Sequence, residues 1–175
     1  MKTAQEQLSC YKSVHLNPVN LTTHFVGIPL IIWSLFLLAS FIRLPWGAGS
    51  IGGGAYLLLP LMCYYLWLHW RLAIGMGLFM AMLLLGAEWL YRSDNASLWL
   101  ALSVFGCGWL FQFVGHYHEK AKPAFIDDLQ QLFIGPLFLM AEIYFCLGWL
   151  APLRQQITPL ALQKRRQLEQ QRQGT

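Results

Sequence analysis

Apolar residues in this chain gather into long runs separated by short polar stretches. A membrane-crossing helix needs about 20 predominantly apolar residues. Five runs approach that length: 24–42, 51–70, 72–90, 96–114 and 132–150. The breaks between them have the chemistry of turns and interfaces. Arg43-Leu44-Pro45-Trp46-Gly47 and Gly52-Gly53-Gly54 predict a turn and a permissive helix start. His69-Trp70-Arg71 sets an aromatic ring and a cation where headgroups would lie. Tyr91-Arg92-Ser93-Asp94-Asn95 reads as a polar hairpin, with Ser93 or Asp94 able to cap the next helix. Pro29 interrupts the first run and Gly135-Pro136 the fifth. Proline removes an intrahelical hydrogen bond, so these two are expected to be kinked, tilted or re-entrant. The pattern predicts an all-α, multi-pass transmembrane helical bundle of about four or five spans.

Composition agrees with this pattern. The chain is 57% hydrophobic and 11% charged, against about 25% charged for a typical soluble domain. The organisation expected is a membrane-embedded helical domain over 1–151 and a basic tail over 152–175, with the first span retained. Much of the net charge of +4 lies in that tail, as Arg154, Lys164, Arg165, Arg166 and Arg172. No aromatic residues interleave with these cations, so anionic headgroups are the better partner and nucleic acid is set aside. Leu160, Leu162 and Leu168 would give the tail a sparse apolar side, compatible with a surface helix or with a solvated segment. Cys10, Cys63, Cys107 and Cys146 form no CxxC pair and read as buried packing residues, not as zinc ligands or disulfides.

Two polar islands carry four of the five histidines: Tyr11 to His24, with His15 and His24, and Gly115 to Pro123, with His116 and His118. Imidazole is the commonest metal ligand, and its concentration at two places far apart in sequence suggests one site assembled in space. Asn17-Pro18 reads as a helix cap and first turn. Asn20 and His24, four apart, share a face, with Gly27 three further along it. His116 and Glu119 are three apart and meet on one face if helical, with His118 pointing elsewhere. Glu142 stands inside an apolar run, where an acid must be paired, neutral or functional. Metal binding, support of a histidine, a proton relay and a neutral interhelical hydrogen bond are all open to it. Glu88 and His69 read as interface residues. The candidates His15, His24, His116, His118, Glu119 and Glu142 exceed what one metal needs. Imidazole with carboxylate suits non-haem iron, and zinc is also compatible.

The stretch Tyr11-Lys12-Ser13-Val14-His15-Leu16-Asn17-Pro18-Val19-Asn20, continuing through His24, Gly27 and Pro29, resembles one signature of the membrane 2-hydroxy fatty acid dioxygenases. Gln112-Phe113-Val114-Gly115-His116, with Glu119, Lys120, Lys122, Pro123-Ala124-Phe125 and Gly135-Pro136, resembles the second. The family includes a fungal enzyme of phytosphingosine breakdown, and the likeness runs through nearly the whole chain. It implies Fe(II)-dependent α-oxidation, in which a 2-hydroxy fatty acid and O₂ give CO₂ and a fatty acid one carbon shorter. It implies His15, His24 and His116 as essential residues; His118 and Glu119 are further candidate metal ligands from their place in the second island, not from the resemblance. Lys120 or Lys122 would attract the substrate carboxylate, and Asn20 and Glu142 would serve catalysis. The acyl chain would be reached laterally from membrane lipid. The absence of a P-loop motif agrees with a reaction that uses no nucleotide cofactor.

A di-iron hydroxylase is set aside, because such enzymes carry about eight histidines in boxes and this chain has five. The alternative from another class is a non-enzymatic haem- or metal-binding membrane protein. Homo-oligomerisation is compatible with either. A bacterial inner membrane is the expected setting. If all five runs cross, the islands emerge on one side and the tail on the other. A re-entrant fifth run would put tail and islands together, on the cytoplasmic side.

Overall fold

The computed structural model describes residues 2–173, and the last two residues of the predicted tail, Gly174 and Thr175, lie outside them. Among the described residues there are seven helices and one hairpin. The order is α1 (Ala4–Ser13), α2 (Pro18–Ser40), β1 (Arg43–Trp46), β2 (Gly49–Gly52), α3 (Gly53–Arg92), α4 (Leu98–Glu119), α5 (Ala124–Asp127), α6 (Gln131–Cys146) and α7 (Ala151–Gln173). The chain is an all-α multi-pass bundle, and α2, α3 and α4 are long and apolar enough to cross a membrane. It divides into two compact units, Met1–Thr23 with Val114–Thr175, and His24–Phe113.

The second unit contains most of the apolar helix. At His69, inside α3, the backbone leaves the helical region (φ −162°, ψ 93°). The His69 imidazole then accepts a hydrogen bond from the Leu72 N–H through Nδ1, 3.3 Å, and so caps the next turn. The break is a fold-back. A Cβ on Gly77 would sit 2.9 Å from Met62 Cε, and one on Gly54 would sit 2.9 Å from Leu84 Cδ1. A straight helix would hold those pairs about 22 and 45 Å apart. α3 is therefore two antiparallel limbs, matching the second and third apolar runs. The kink falls at this predicted break, while α2 continues through Pro29 and α6 through Pro136.

Glycines let α2 approach α4. A Cβ on Gly27 would lie 2.7 Å from the Gly108 carbonyl oxygen, and one on Gly108 would lie 3.0 Å from the Gly27 oxygen. Small residues at such crossings permit backbone contact in a membrane, where packing replaces the hydrophobic effect. The predicted turn after α2 is a β-hairpin, with Arg43 paired to Gly52 and Trp46 to Gly49. Gly47 turns it at φ +57°, a conformation glycine adopts without strain. Arg43 ties the hairpin to the end of α3 by two hydrogen bonds to Glu88, both 2.9 Å. Arg92 reaches the same carboxylate at 2.8 Å.

Large apolar side chains such as Leu57, Trp67, Leu78, Leu85, Trp99 and Leu110 point outward, the arrangement expected where the solvent is lipid. The cysteines follow the same logic and correct the reading of them as buried. All four are free, but Cys63, Cys107 and Cys146 are exposed and Cys10 is only half-buried.

The first unit is built around α1. Thr3 caps α1 reciprocally with Glu6, and the Thr3 hydrogen bonds hold the Glu6 carboxyl below its usual range. Leu8 is fully buried. Gln131 donates to Gln7 at 2.6 Å, and Gln7 donates to Gln130 at 3.0 Å, joining α1 to the start of α6. The basic tail forms α7 and packs on α1. Its buried stripe is Leu153, Ile157 and Ala161, four residues apart, while Leu160, Leu162 and Leu168 are exposed. The side chain of Arg172 lies outside the described ones.

α6 and α7 cover the fifth apolar run and the tail. α6 has 16 residues, or about 24 Å of helix, less than the roughly 30 Å of bilayer hydrocarbon. Beyond it, Lys164 donates to the Glu6 carbonyl at 3.2 Å and Arg165 reaches Glu119 at 2.9 Å. The tail therefore returns to the end of the molecule occupied by α1 and the close of α4.

Candidate metal centre

α1 carries Tyr11 in its last turn, and His15 follows two residues beyond the end of the helix, folded back over that turn. Their rings stack with centroids 3.9 Å apart and planes 3° from parallel. His15 Nδ1 lies 2.6 Å from the Tyr11 carbonyl oxygen. A carbonyl can only accept, so Nδ1 carries the proton and Nε2 keeps its lone pair. Metal-binding histidines are commonly oriented this way. Burial raises the Tyr11 phenol above its usual range, so it stays a neutral hydroxyl.

Asn17 caps α2 through Oδ1, which accepts from the Val19 N–H at 2.8 Å. Asn20, one turn into α2, is fully buried and donates to the Val14 carbonyl at 3.1 Å and to Glu119 at 3.2 Å. His24, four residues further along the continuous α2, occupies the next turn on the Asn20 face. His116 comes from α4, and its ring meets His15 edge-on at 4.8 Å.

Among the described residues, His15, His24 and His116 are the one group with metal-binding capacity. All three are buried, and their ligand atoms lie within 4.8 Å of one another. Three imidazoles from separate segments, one with its tautomer fixed by a carbonyl, fit a first-row transition metal that keeps open positions.

The other expected residues lie elsewhere. The Glu119 side chain is 2% exposed and is held by Arg165. Its Oε2 also accepts from the Asn17 N–H at 2.7 Å. His118 is exposed on the far side of α4, and its carbonyl accepts from Asn17 Nδ2 at 3.2 Å. Lys120 is exposed at the end of α4 with φ +54°. Glu142 of α6 is paired with Lys12 of α1, both nearly buried, and the Lys12 ammonium also lies 5.6 Å from the Phe138 ring centre. Sequence reading passed over Lys12 as a partner and treated Arg165 only as part of a basic tail. The signal for Lys12 was present: Glu142 needs a cation, and Lys12 stands three residues before His15.

Gly115 fixes the approach of α4 to α2 beside the site. A Cβ there would fall 2.2 Å from Thr23 Oγ1, 2.4 Å from Asn20 Oδ1 and 3.2 Å from Asn20 Cα. The Gly115→Ala protein is expected to lose about 1–3 kcal/mol, as for overpacking, together with a measurable share of bound metal. Thermal unfolding in detergent and metal analysis of the same sample check both.

The sequence model of the family described as "Mpo1-like: 2-hydroxy-palmitic acid dioxygenase Mpo1-like" matches residues 1–147. The chain is also 33% identical over 171 residues to the 2-hydroxy-palmitic acid dioxygenase MPO1 of Saccharomyces cerevisiae, covering 97% of this chain and 95% of that protein. No solved structure matches. Match and identity together extend over both histidine islands, and the chain belongs to the Mpo1-like family.

Proposed function

We propose that this protein is an Fe(II)-dependent dioxygenase that shortens 2-hydroxy fatty acids by one carbon. The observation that carries the proposal is the buried group of His15, His24 and His116 in a chain similar throughout to a 2-hydroxy-palmitic acid dioxygenase. The reaction balances without an outside reductant: RCH(OH)COOH + O₂ gives RCOOH + CO₂ + H₂O. The carbon–carboxyl bond breaks, the substrate gives up four electrons and O₂ takes them. Bound iron would supply the activation of O₂ that organic side chains cannot.

The chain's own residues do the rest. Three imidazoles from three segments hold the ion and leave positions for substrate. Burial excludes bulk water, which strengthens every polar interaction in the site. Asn20 holds the Glu119 carboxylate and the Val14 carbonyl, and so fixes the turn of α2 that bears His24. Lys120, exposed at the end of α4, is assigned to draw in the substrate carboxylate. The acyl chain lies along the outward apolar faces, within the lipid. Glu142 acts through its pair with Lys12, holding α1 against α6. The return of α7 to the end that holds Glu119 supports a site on the same side as the basic tail. By the positive-inside rule, that side is the cytoplasmic face of a bacterial inner membrane.

The test is product analysis. Fe(II)-loaded protein given 2-hydroxypalmitic acid labelled at its carboxyl carbon is expected to release labelled CO₂ and the 15-carbon acid in equal amounts, with equal O₂ uptake. Iron-loaded protein that releases no O₂-dependent CO₂ from 2-hydroxy acids of any chain length would overturn the proposal.

A further inference from the structure

Glu119 has the chemistry of a metal ligand and sits one turn from His116, yet its carboxylate is fully committed to protein partners. Oε2 accepts from the Asn17 N–H at 2.7 Å and from Asn20 Nδ2 at 3.2 Å. Oε1 accepts from Arg165 Nη1 at 2.9 Å, and the Glu119 carbonyl accepts from Arg165 Nη2 at 3.1 Å. One guanidinium therefore grips both the carboxylate and the last carbonyl of α4. The segments joined at this point are those that carry the histidines. Asn17 follows His15 by two residues, Asn20 precedes His24 by one turn, and Glu119 follows His116 by three residues.

The cation at this junction comes from α7, beyond the residues 1–147 that the family model covers. Burying a carboxylate whose side chain is 2% exposed is costly unless an opposite charge pairs with it, and two neutral donors do not replace that partner. The planar fork of arginine also suits two acceptors on one residue, which a lysine ammonium does not reproduce. Glu169 holds the other side of the guanidinium, accepting from Arg165 Nε at 2.6 Å.

We propose that Arg165 is a positioning residue of the metal site: from α7 it locks Glu119 as the clasp that sets His15, His24 and His116 at ligand distance. This rests on the three-histidine site described above. The clasp also keeps Glu119 out of the ligand group, so the ion sees imidazole only. Outer partners of metal ligands commonly change affinity about 10–100-fold when removed, and Arg165 belongs to that range although it touches no ligand.

Anaerobic Fe(II) titration of the full-length protein tests the assignment, beside thermal unfolding in the same detergent. Arg165→Ala is expected to weaken Fe(II) binding at least ~10-fold, and Arg165→Lys to restore only part of it. Ile157→Ala, which removes a fully buried side chain of α7, supplies the comparison. It is expected to lower the unfolding temperature by at least as much as Arg165→Ala while keeping Fe(II) affinity near wild type. In a Glu119→Gln background, Arg165→Ala should cause a much smaller loss than in wild type, because the arginine acts mainly through the Glu119 carboxylate and keeps only its bond to the Glu119 carbonyl. Wild-type affinity in Arg165→Ala, a loss in Ile157→Ala that matches it, or additive losses with Glu119→Gln would each overturn the proposal. Wild-type protein that takes up no Fe(II) would overturn this proposal and the three-histidine site together.

Discussion

Replacing His116 with alanine is expected to abolish stoichiometric iron binding and O₂ uptake driven by 2-hydroxy fatty acid together, while the helical fold survives. His116 is buried beside His15. Its removal leaves two imidazoles, and the ion loses a bond and the edge-on packing of the remaining ring. Loss of an outer partner already costs about 10–100-fold in metal affinity, so loss of a ligand should cost more than ~100-fold. Metal analysis, an oxygen electrode and circular dichroism on one preparation read the three consequences. His15→Ala and His24→Ala should behave alike. His118→Ala should keep both iron and activity, since that ring faces away from the group. Retention of wild-type iron in His116→Ala would mean that the ion, if bound, sits elsewhere.

The second large effect lies at the junction of α1 and α6. Lys12→Met is expected to destabilise the protein by about 3–5 kcal/mol, because it strands the Glu142 carboxylate without its cation. Side-chain exposures of 14% and 13% put this pair well inside the fold, so solvent screening offsets little of the loss. Adding Glu142→Gln should recover most of it, since replacing both members of a buried pair removes the unpaired charge. Denaturant unfolding in a fixed detergent measures both. The site should respond as well, because α1 carries Tyr11, leads directly into His15 and is held to α6 partly by this pair. A loss under ~1 kcal/mol in the single variant, or no recovery in the double, would show that Glu142 has another partner.

Most of the bundle was legible in the sequence, because lipid imposes a strong rule: a helix must be apolar over its crossing length and its ends must not be. The break at His69 was marked by its neighbours Trp70 and Arg71. What the pattern did not show was that His69 itself would cap the returning limb. The β-hairpin after α2 was visible only as turn residues, since four-residue strands carry too little periodicity to register. The site was half legible. Islands rich in histidine announced themselves, but His118 and Glu119 stayed among the candidate ligands beside His15, His24 and His116. Only three-dimensional placement separates a ring held by the Tyr11 carbonyl from one exposed on the far side of α4. Arg165 was not legible as part of the site, because a cation 46 residues away from its carboxylate partner looks identical to its neighbours Lys164 and Arg166 until α7 is folded back. The tail's buried face was misread for a related reason: leucines were counted, and the face that packs on α1 is Leu153, Ile157 and Ala161.

The most direct test of the three-imidazole centre is X-ray absorption at the iron edge on Fe(II)-loaded, substrate-free protein. Imidazole rings give a distinctive multiple-scattering pattern, so the rings bound per iron can be counted. One iron per chain with three imidazole ligands and no protein carboxylate is expected, the remaining positions being filled by water. Two imidazoles with a carboxylate would contradict it, placing Glu119 or another acid on the metal and leaving one of His15, His24 and His116 without its assigned role.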